Sequence, residues 1–390
     1  MSDSFSATFK TGPVSQLQTP CLLLDEIKLR RNLDRLDERL ATLGVTLRPH
    51  LKTAKSVDVA RLALPHRKAP ATVSTLMEAE YFAAEGMHDL LYAVGIAPAK
   101  LDRVGAIRRR YKAALSIILD SVEQAEAVAD WCKRSADKLP VFIEIDCDGH
   151  RSGVGPGETE RLITIGRILH EGGAILRGVM THAGESYNLN DPKALAAAAE
   201  VERSGAVRAA ETLRAAGLPC PVVSVGSTPT AHFARDLSGV TEVRAGVYMF
   251  SDLVQAGIGV CKVDDIALSV LATVIGHQRS KGWIIVDAGW MAMSRDRGTA
   301  SQAVDQGYGV VCDPKGKPYP DLIMPNANQE HGILALRAGS AAALPELKLG
   351  DKVRILPNHA CATGAQHDRY HVVHGVEPDV KAIWPRINGW

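Results

Sequence analysis

The chain has no run of 18 consecutive apolar residues, and its first residues, MSDSFSATFKTG, lack the positively charged start and apolar core of a secretory leader. Neither sign of charge is in excess: 45 Lys and Arg face 44 Asp and Glu, which leaves no global field to attract nucleic acid or an anionic membrane. CxxC pairs are absent. The seven cysteines, Cys21, Cys132, Cys147, Cys220, Cys261, Cys312 and Cys361, are scattered and odd in number, which does not suit a disulfide framework. These absences predict a soluble, cytoplasmic protein whose partners are small molecules or another copy of itself.

At 390 residues the chain is long enough for two domains, the larger of them a barrel of roughly 250 residues. Strand-like runs at 45–50, 71–75, 89–94, 115–120, 141–146, 176–182, 222–227 and 242–248 alternate with helical patterns such as 78–85, 121–133, 158–171 and the alanine-rich 192–216. Eight such alternations predict an α/β fold, a (β/α)8 TIM barrel over residues 20–261. Past Cys261 the helical periodicity fades. Short apolar runs at 267–275, 283–286, 307–312, 352–356 and 370–374, separated by Gly, Pro and Asp turns, predict an antiparallel β domain over 262–390, with residues 1–19 grouped to it. The run 21–25 is read as pairing with that domain before the barrel begins.

Residues 48–53 read RPHLKT and put Lys52 at the carboxyl end of the first barrel strand, where parallel barrels build their active sites and where an amine can form a Schiff base with an aldehyde. After the seventh strand comes SVGSTPT, with Gly226, Ser227 and Thr228, and the eighth ends in RAGVY, with Gly246, Val247 and Tyr248. Small residues there let backbone N–H groups approach a phosphate, and hydroxyls add donors. The fifth strand runs into EIDCDGHRSG, where the planar fork of Arg151 suits a phenolate or carboxylate. The sixth ends at THAG, followed by Tyr187, and His182 reads equally as support for a site or as a satisfied core histidine.

In PNHACAT, positions i and i+2 of an extended segment face one side, so the His359 imidazole and the Cys361 sulfur converge on one metal ion. Thiolate with imidazole favours zinc, and two protein ligands leave positions open for water or substrate. The HxC spacing is common by chance and carries weight only in combination. The stretches DAGWMAMSRDRGT (287–299) and NQEHG (328–332) are too polar and glycine-broken for a plain β core and read as loops reaching a site.

Taken together, RPHLKT, GHRSG, THAGESY, VGSTPT, RAGVY, DAGWMAMSRDRGT, NQEHG and PNHACAT resemble the fold-type III pyridoxal-phosphate enzymes, the alanine racemase-like group of eukaryotic-type D-serine dehydratases and D-threonine aldolases. The likeness runs from about Thr19 to near the carboxyl terminus. It implies that Lys52 holds pyridoxal 5'-phosphate covalently and is the catalytic residue, with Arg151 near the phenolic oxygen and His182 and Tyr187 beside the cofactor. Ser227, Thr228, Gly246, Val247 and Tyr248 are expected around its phosphate. His359 and Cys361 are expected to hold a divalent metal, zinc by preference, and the assembly is expected to be a homodimer.

Similar aldolases tend to have His and Asp around the metal, so His359 with Cys361 leans towards a dehydratase. That enzyme would eliminate the β-hydroxyl of a D-3-hydroxy amino acid, converting 3-hydroxyaspartate to oxaloacetate and ammonia, or D-serine to pyruvate and ammonia. The alternative keeps every part and breaks Cα–Cβ instead, as an aldolase releasing glycine and an aldehyde. A racemase, or a cofactor carrier without turnover, fits less well with a metal couple. A dicarboxylate substrate needs a further cation, for which Arg151, Arg295 and Arg297 are candidates.

Overall fold

Eight short aliphatic runs form one all-parallel sheet, as their burial on both faces requires. The computed structural model describes residues 11–390; residues 1–10, part of the stretch assigned to the β domain, lie outside the described residues. Strand β1 is Cys21–Asp25, and the parallel strands are β2 (Thr46–Pro49), β3 (Ala71–Val73), β4 (Asp89–Gly95), β5 (Ala114–Leu119), β6 (Pro140–Ile145), β7 (Ile175–Thr181), β8 (Val222–Val225) and β9 (Glu242–Ala245). Their order is β2-β9-β8-β7-β6-β5-β4-β3, and a His50–Thr72 bridge draws the two end strands together into a near-closed barrel. Each strand expected from the sequence is present. The last two stop earlier than expected because the chain leaves the ladder at Gly226, whose φ is +142°, and at Gly246, which opens a 3-10 turn over Val247–Met249.

Inside the barrel, Leu91, Ile118, Phe142 and Met180 from four adjacent strands pack as one buried cluster. Around it, the helix Val122–Ser135 starts at a Ser121/Gln124 capping box, and Pro192–Ala215 starts with the Asp191 carboxylate accepting from the Ala194 N–H. The helix Glu26–Thr42 is an addition to the elements expected. It buries Leu29, Leu33, Leu36 and Leu40 at helical spacing.

The described chain divides into two compact units. One holds the residues up to Asn32 with Phe250–Gly257 and Cys261–Arg386; the other holds Leu33–Met249 with Ile258–Val260 and Ile387–Trp390. In the first unit the later strands are β10 (Leu268–Gln278), β11 (Trp283–Val286), β12 (Gly309–Cys312), β13 (Pro318–Ala327), β14 (Gly332–Leu336), β15 (Lys352–Pro357), β16 (Arg369–Val373) and β17 (Ala382–Pro385). They form a sheet ordered β11-β14-β13-β12-β15-β10-β1-β16-β17, and β11 also pairs with β10, which curls the sheet into a barrel. All its ladders are antiparallel except β1 with β16, so β1 does pair with the β elements as expected. Strands β13, β14 and β17 were not expected. Pro318, Pro320 and Pro325 within β13 cannot donate to a ladder and hide it from a strand reading.

Among the described residues no helix is long and apolar enough to cross a membrane, and all seven cysteines are free thiols.

Candidate active site

The carboxyl ends of β2, β6, β7, β8 and β9 bring together most of the residues marked on the barrel. Lys52 stands exposed in the turn after β2, and its backbone N–H donates to His50 Nδ1 at 3.5 Å. The other ring nitrogen of His50 meets Ser74 Oγ at 3.4 Å. Arg151 lies on the loop after β6, its guanidinium 3.6 Å from the Glu144 carboxylate. An Asp146 side chain that accepts from the Asp148 and Gly149 N–H groups folds this loop, and Gly153 donates to Asp120 at 2.8 Å.

His182 and Tyr187 stand side by side after β7, ring centroids 6.4 Å apart. The His182 Nδ1–H donates to the Gly226 carbonyl at 3.0 Å, so its Nε2 carries the lone pair. After β8, Ser227 and Thr230 cap the short helix Thr228–Phe233, and Ser227 Oγ meets Ser186 Oγ at 2.8 Å. Gly246 after β9 packs so closely that a Cβ would lie 3.0 Å from Thr53 Oγ1 and 3.1 Å from the His50 carbonyl. Val247 and Tyr248 follow it, both buried. The Tyr248 phenol feels the Asp37 carboxylate, and burial raises its pKa.

Glu202, which the sequence did not single out, ties these loops together. Buried in the helix Pro192–Ala215, its carboxylate accepts from the N–H of Ala183 (3.1 Å) and Gly226 (2.8 Å) and from Thr230 Oγ1 (2.7 Å). Burial pushes its pKa up, and those three donors partly offset the shift. Arg244 was likewise missed. Its guanidinium is fully inside the barrel, donating to Ser224 Oγ at 2.7 Å and to the Thr181 carbonyl.

Burial, reinforced by these cations, sets the charge state of the two imidazoles. Burial, then the positive charges of Lys52 and Arg244, hold His50 well below its ordinary pKa. Burial likewise drives His182 down to about 3, with Lys52, Arg151 and Arg244 acting the same way against the Gly226 hydrogen bond. Both rings are neutral near pH 7, and the charge they would have added is left to Lys52, Arg151 and Arg244. Such a strand-end cluster accepts anions. A phosphate fits it: Thr228 Oγ1 is buried with no hydrogen-bond partner among the described residues, and Gly226 sits where a Cβ would come within 2.0 Å of the Arg244 carbonyl.

The second cluster belongs to the β unit. His359 and Cys361 do not lie in an extended segment, and the alternation argument for their convergence fails. After β15 the chain coils at once into the helix Ala360–Gly364, with His359 at its N-cap (φ −132°, ψ 108°) and Cys361 in its first turn. The buried Asp252 carboxylate holds that helix start by accepting the Ala360 N–H at 2.9 Å. Imidazole and sulfur nevertheless interact. The His359 Nδ1–H donates to Asp296 at 2.6 Å, leaving Nε2 for a second partner. Burial disfavours the charged ring, but Cys361, Asp296 and Asp252 outweigh it and raise the His359 pKa to about 11.

The Cys361 sulfur and the Asp296 and Asp252 carboxylates therefore favour a positive charge at this spot, and a divalent cation can take the proton's place on a soft N/S donor pair. A carboxylate behind the imidazole is the usual way of fixing a metal-binding tautomer. Among the described residues no group of three or more His, Cys, Asp or Glu is arranged to hold a metal. The 287–299 and 328–332 stretches now have a place: Asp296 comes from the first, and the N–H groups of Trp290 and Met291 donate to the carbonyls of Asn328 and Gln329 in the second.

Residues 24–253 match the family model described as alanine racemase, N-terminal domain, and residues 267–373 match that of a putative serine dehydratase domain. The chain belongs to this family, the alanine racemase-like, fold-type III enzymes that include D-serine dehydratases and D-threonine aldolases. It is 56% identical over 376 residues to the D-threo-3-hydroxyaspartate dehydratase of Delftia sp. (strain HT23), covering 96% of this chain and 98% of that one. Two solved mutants of D-threo-3-hydroxyaspartate dehydratase share the fold. A histidine-to-alanine mutant matches with TM-score 0.94 and 55% identity over 97% of each chain. A cysteine-to-alanine mutant in the metal-free form matches with TM-score 0.93 and 54% identity over 97% of this chain and 100% of that one. The residues substituted in those two mutants are two apart in sequence, the spacing of His359 and Cys361 here.

Proposed function

We propose that this enzyme is a pyridoxal-phosphate- and zinc-dependent dehydratase that converts D-threo-3-hydroxyaspartate to oxaloacetate and ammonia, with D-serine, giving pyruvate and ammonia, as a second substrate. The observation that carries this reading is the His359–Cys361 couple backed by Asp296, a donor set suited to a soft divalent cation, in a chain that also has an anion-accepting barrel mouth around Lys52. Bound pyridoxal phosphate supplies the electron sink that acidifies a Cα–H, and zinc supplies the Lewis acidity that eases departure of a β-hydroxyl.

The chain's own residues do the rest. Lys52 would hold the cofactor through its amine, and the same amine, when free, would accept the Cα proton of the substrate. His50 and His182, neutral for the reasons given, do not repel the cation that forms there. Arg151 would meet the cofactor's phenolic oxygen, with Tyr187 beside the ring. Ser227, Thr228, Gly246, Val247 and Tyr248 would hold the phosphate, and the buried Thr228 hydroxyl, which has no partner among the described residues, would be its clearest donor. His359 and Cys361 would hold the metal, with Asp296 fixing the imidazole.

Product analysis on purified enzyme tests this. Keto acid with stoichiometric ammonia is the expected outcome; glycine as the main product replaces dehydration by aldol cleavage. Seven free thiols support a cytoplasmic location. A homodimer is expected from the resemblance and is checked by sedimentation.

A further inference from the structure

The geometry points to Arg295 as the residue that selects a dicarboxylate, pairing its guanidinium with the second carboxylate of the substrate. This deepens the reading above and rests on it. In a 3-hydroxyaspartate, the carbon that bears the departing hydroxyl also bears the second carboxylate. A group that recognises that carboxylate must therefore belong to the surroundings of the hydroxyl-binding couple, His359 and Cys361.

Arg295 and Arg297 flank Asp296, which is hydrogen-bonded to His359. They are not equivalent. Arg297 is already committed, with Nη2 2.7 Å from the Asp305 carboxylate and the guanidinium over the Tyr308 ring. Arg386 is buried and donates to the carbonyls of Gly364 and His367 and to the Tyr370 hydroxyl. Arg295 is exposed, lies 5.1 Å over the Trp290 ring, and has no carboxylate partner among the described residues. Stacking on an aromatic face orients a guanidinium while leaving its in-plane N–H donors for a bidentate carboxylate.

The backbone supports this division of labour. Ser294, buried, sits at φ +73°, a conformation costly for a residue with a side chain. Its Oγ accepts the Asp296 N–H at 2.9 Å. The kink accompanies an Asp296 side chain engaged with His359 while Arg295, beside it in sequence, stays exposed over Trp290. Trp290 is fixed in turn by its N–H bond to the Asn328 carbonyl at 2.9 Å.

The test uses holoenzyme and two unreactive probes, succinate and butyrate, which differ in one carboxylate. Because Arg295 lies on Trp290, binding is read from tryptophan emission, with W290F identifying the responding ring. Wild type is expected to bind succinate at least about tenfold tighter than butyrate, R295Q to lose that preference, and R295K to keep part of it. In turnover, R295Q should lower kcat/KM for 3-hydroxyaspartate about 10- to 100-fold more than for D-serine, chiefly through KM.

Unchanged succinate preference in R295Q overturns the proposal. So does a parallel loss of metal content, because Arg295 would then only prop Asp296. A wild type that prefers succinate through Arg295 yet forms no oxaloacetate leaves dicarboxylate selection standing and overturns the dehydratase reading instead.

Discussion

Two imidazoles, His182 at the barrel mouth and His359 in the β unit, are both half-buried, yet their pKa values lie at about 3 and about 11. Burial pushes both down. What separates them is the sign of the company each keeps: Lys52, Arg151 and Arg244 around His182, against Cys361, Asp296 and Asp252 around His359. One region of the molecule is thus built to receive an anion and the other a cation. The phosphate-bearing cofactor and the divalent metal proposed above carry the charges that suit those two fields.

Removing the defining group of either region should leave the other intact. Lys52→Ala is expected to abolish the visible absorbance of lysine-bound cofactor and lower kcat by about 10⁴-fold or more, with metal content unchanged. The mirror experiment, Cys361→Ala, should empty the metal site and cost on the order of 10³-fold in kcat while the cofactor spectrum persists. If either variant lost both ligands, the two fields would not be independent. Asp296→Asn probes the cationic site more gently. It keeps a neutral acceptor for His359 Nδ1–H but removes a charge, and metal affinity measured against a chelator should fall about 10- to 100-fold. On the anionic side, Thr228→Val removes the unpartnered buried hydroxyl without changing shape, and cofactor affinity should weaken by about tenfold, as for one hydrogen bond to a charged group.

The two regions also differed in how far they could be read in advance. Parallel strands are buried on both faces, so runs such as LLYAV and VFIEI stand out as aliphatic blocks, and the motifs that follow them fall at one mouth by the rule of the fold. Lys52, His182, Ser227 and Gly246 were legible for that reason. Glu202 was not: it lies in an alanine-rich helix among Glu200 and Arg203, and nothing in its spacing distinguishes a buried carboxylate from its exposed neighbours. Asp296 is 63 residues from His359 in a glycine-broken loop, so only the folded β unit pairs them. The helix Glu26–Thr42 carries a legible signal that the sequence reading passed over: Leu29, Leu33, Leu36 and Leu40 follow helical spacing.

The smallest effect sharpens the comparison most directly, because it measures one of the two fields as stability. His182 is neutral in the fold down to about pH 3, whereas in the unfolded chain it takes up a proton below its ordinary value of 6.5. Between those values the unfolded state binds more protons, so stability rises with pH, is fully present above about 6.5, and is lost as pH falls towards 3. One proton corresponds to at most about 1.4 kcal/mol per pH unit, and the half-buried ring should give less. His182→Asn keeps an N–H for the Gly226 carbonyl and removes the titration. Unfolding free energies from urea titrations at pH 7 and pH 5 should therefore diverge less in the variant than in wild type, by up to about 1 kcal/mol. Equal differences in the two proteins would mean that burial and the cations at the barrel mouth do not hold His182 neutral, and that the contrast with His359 is weaker than the contacts imply.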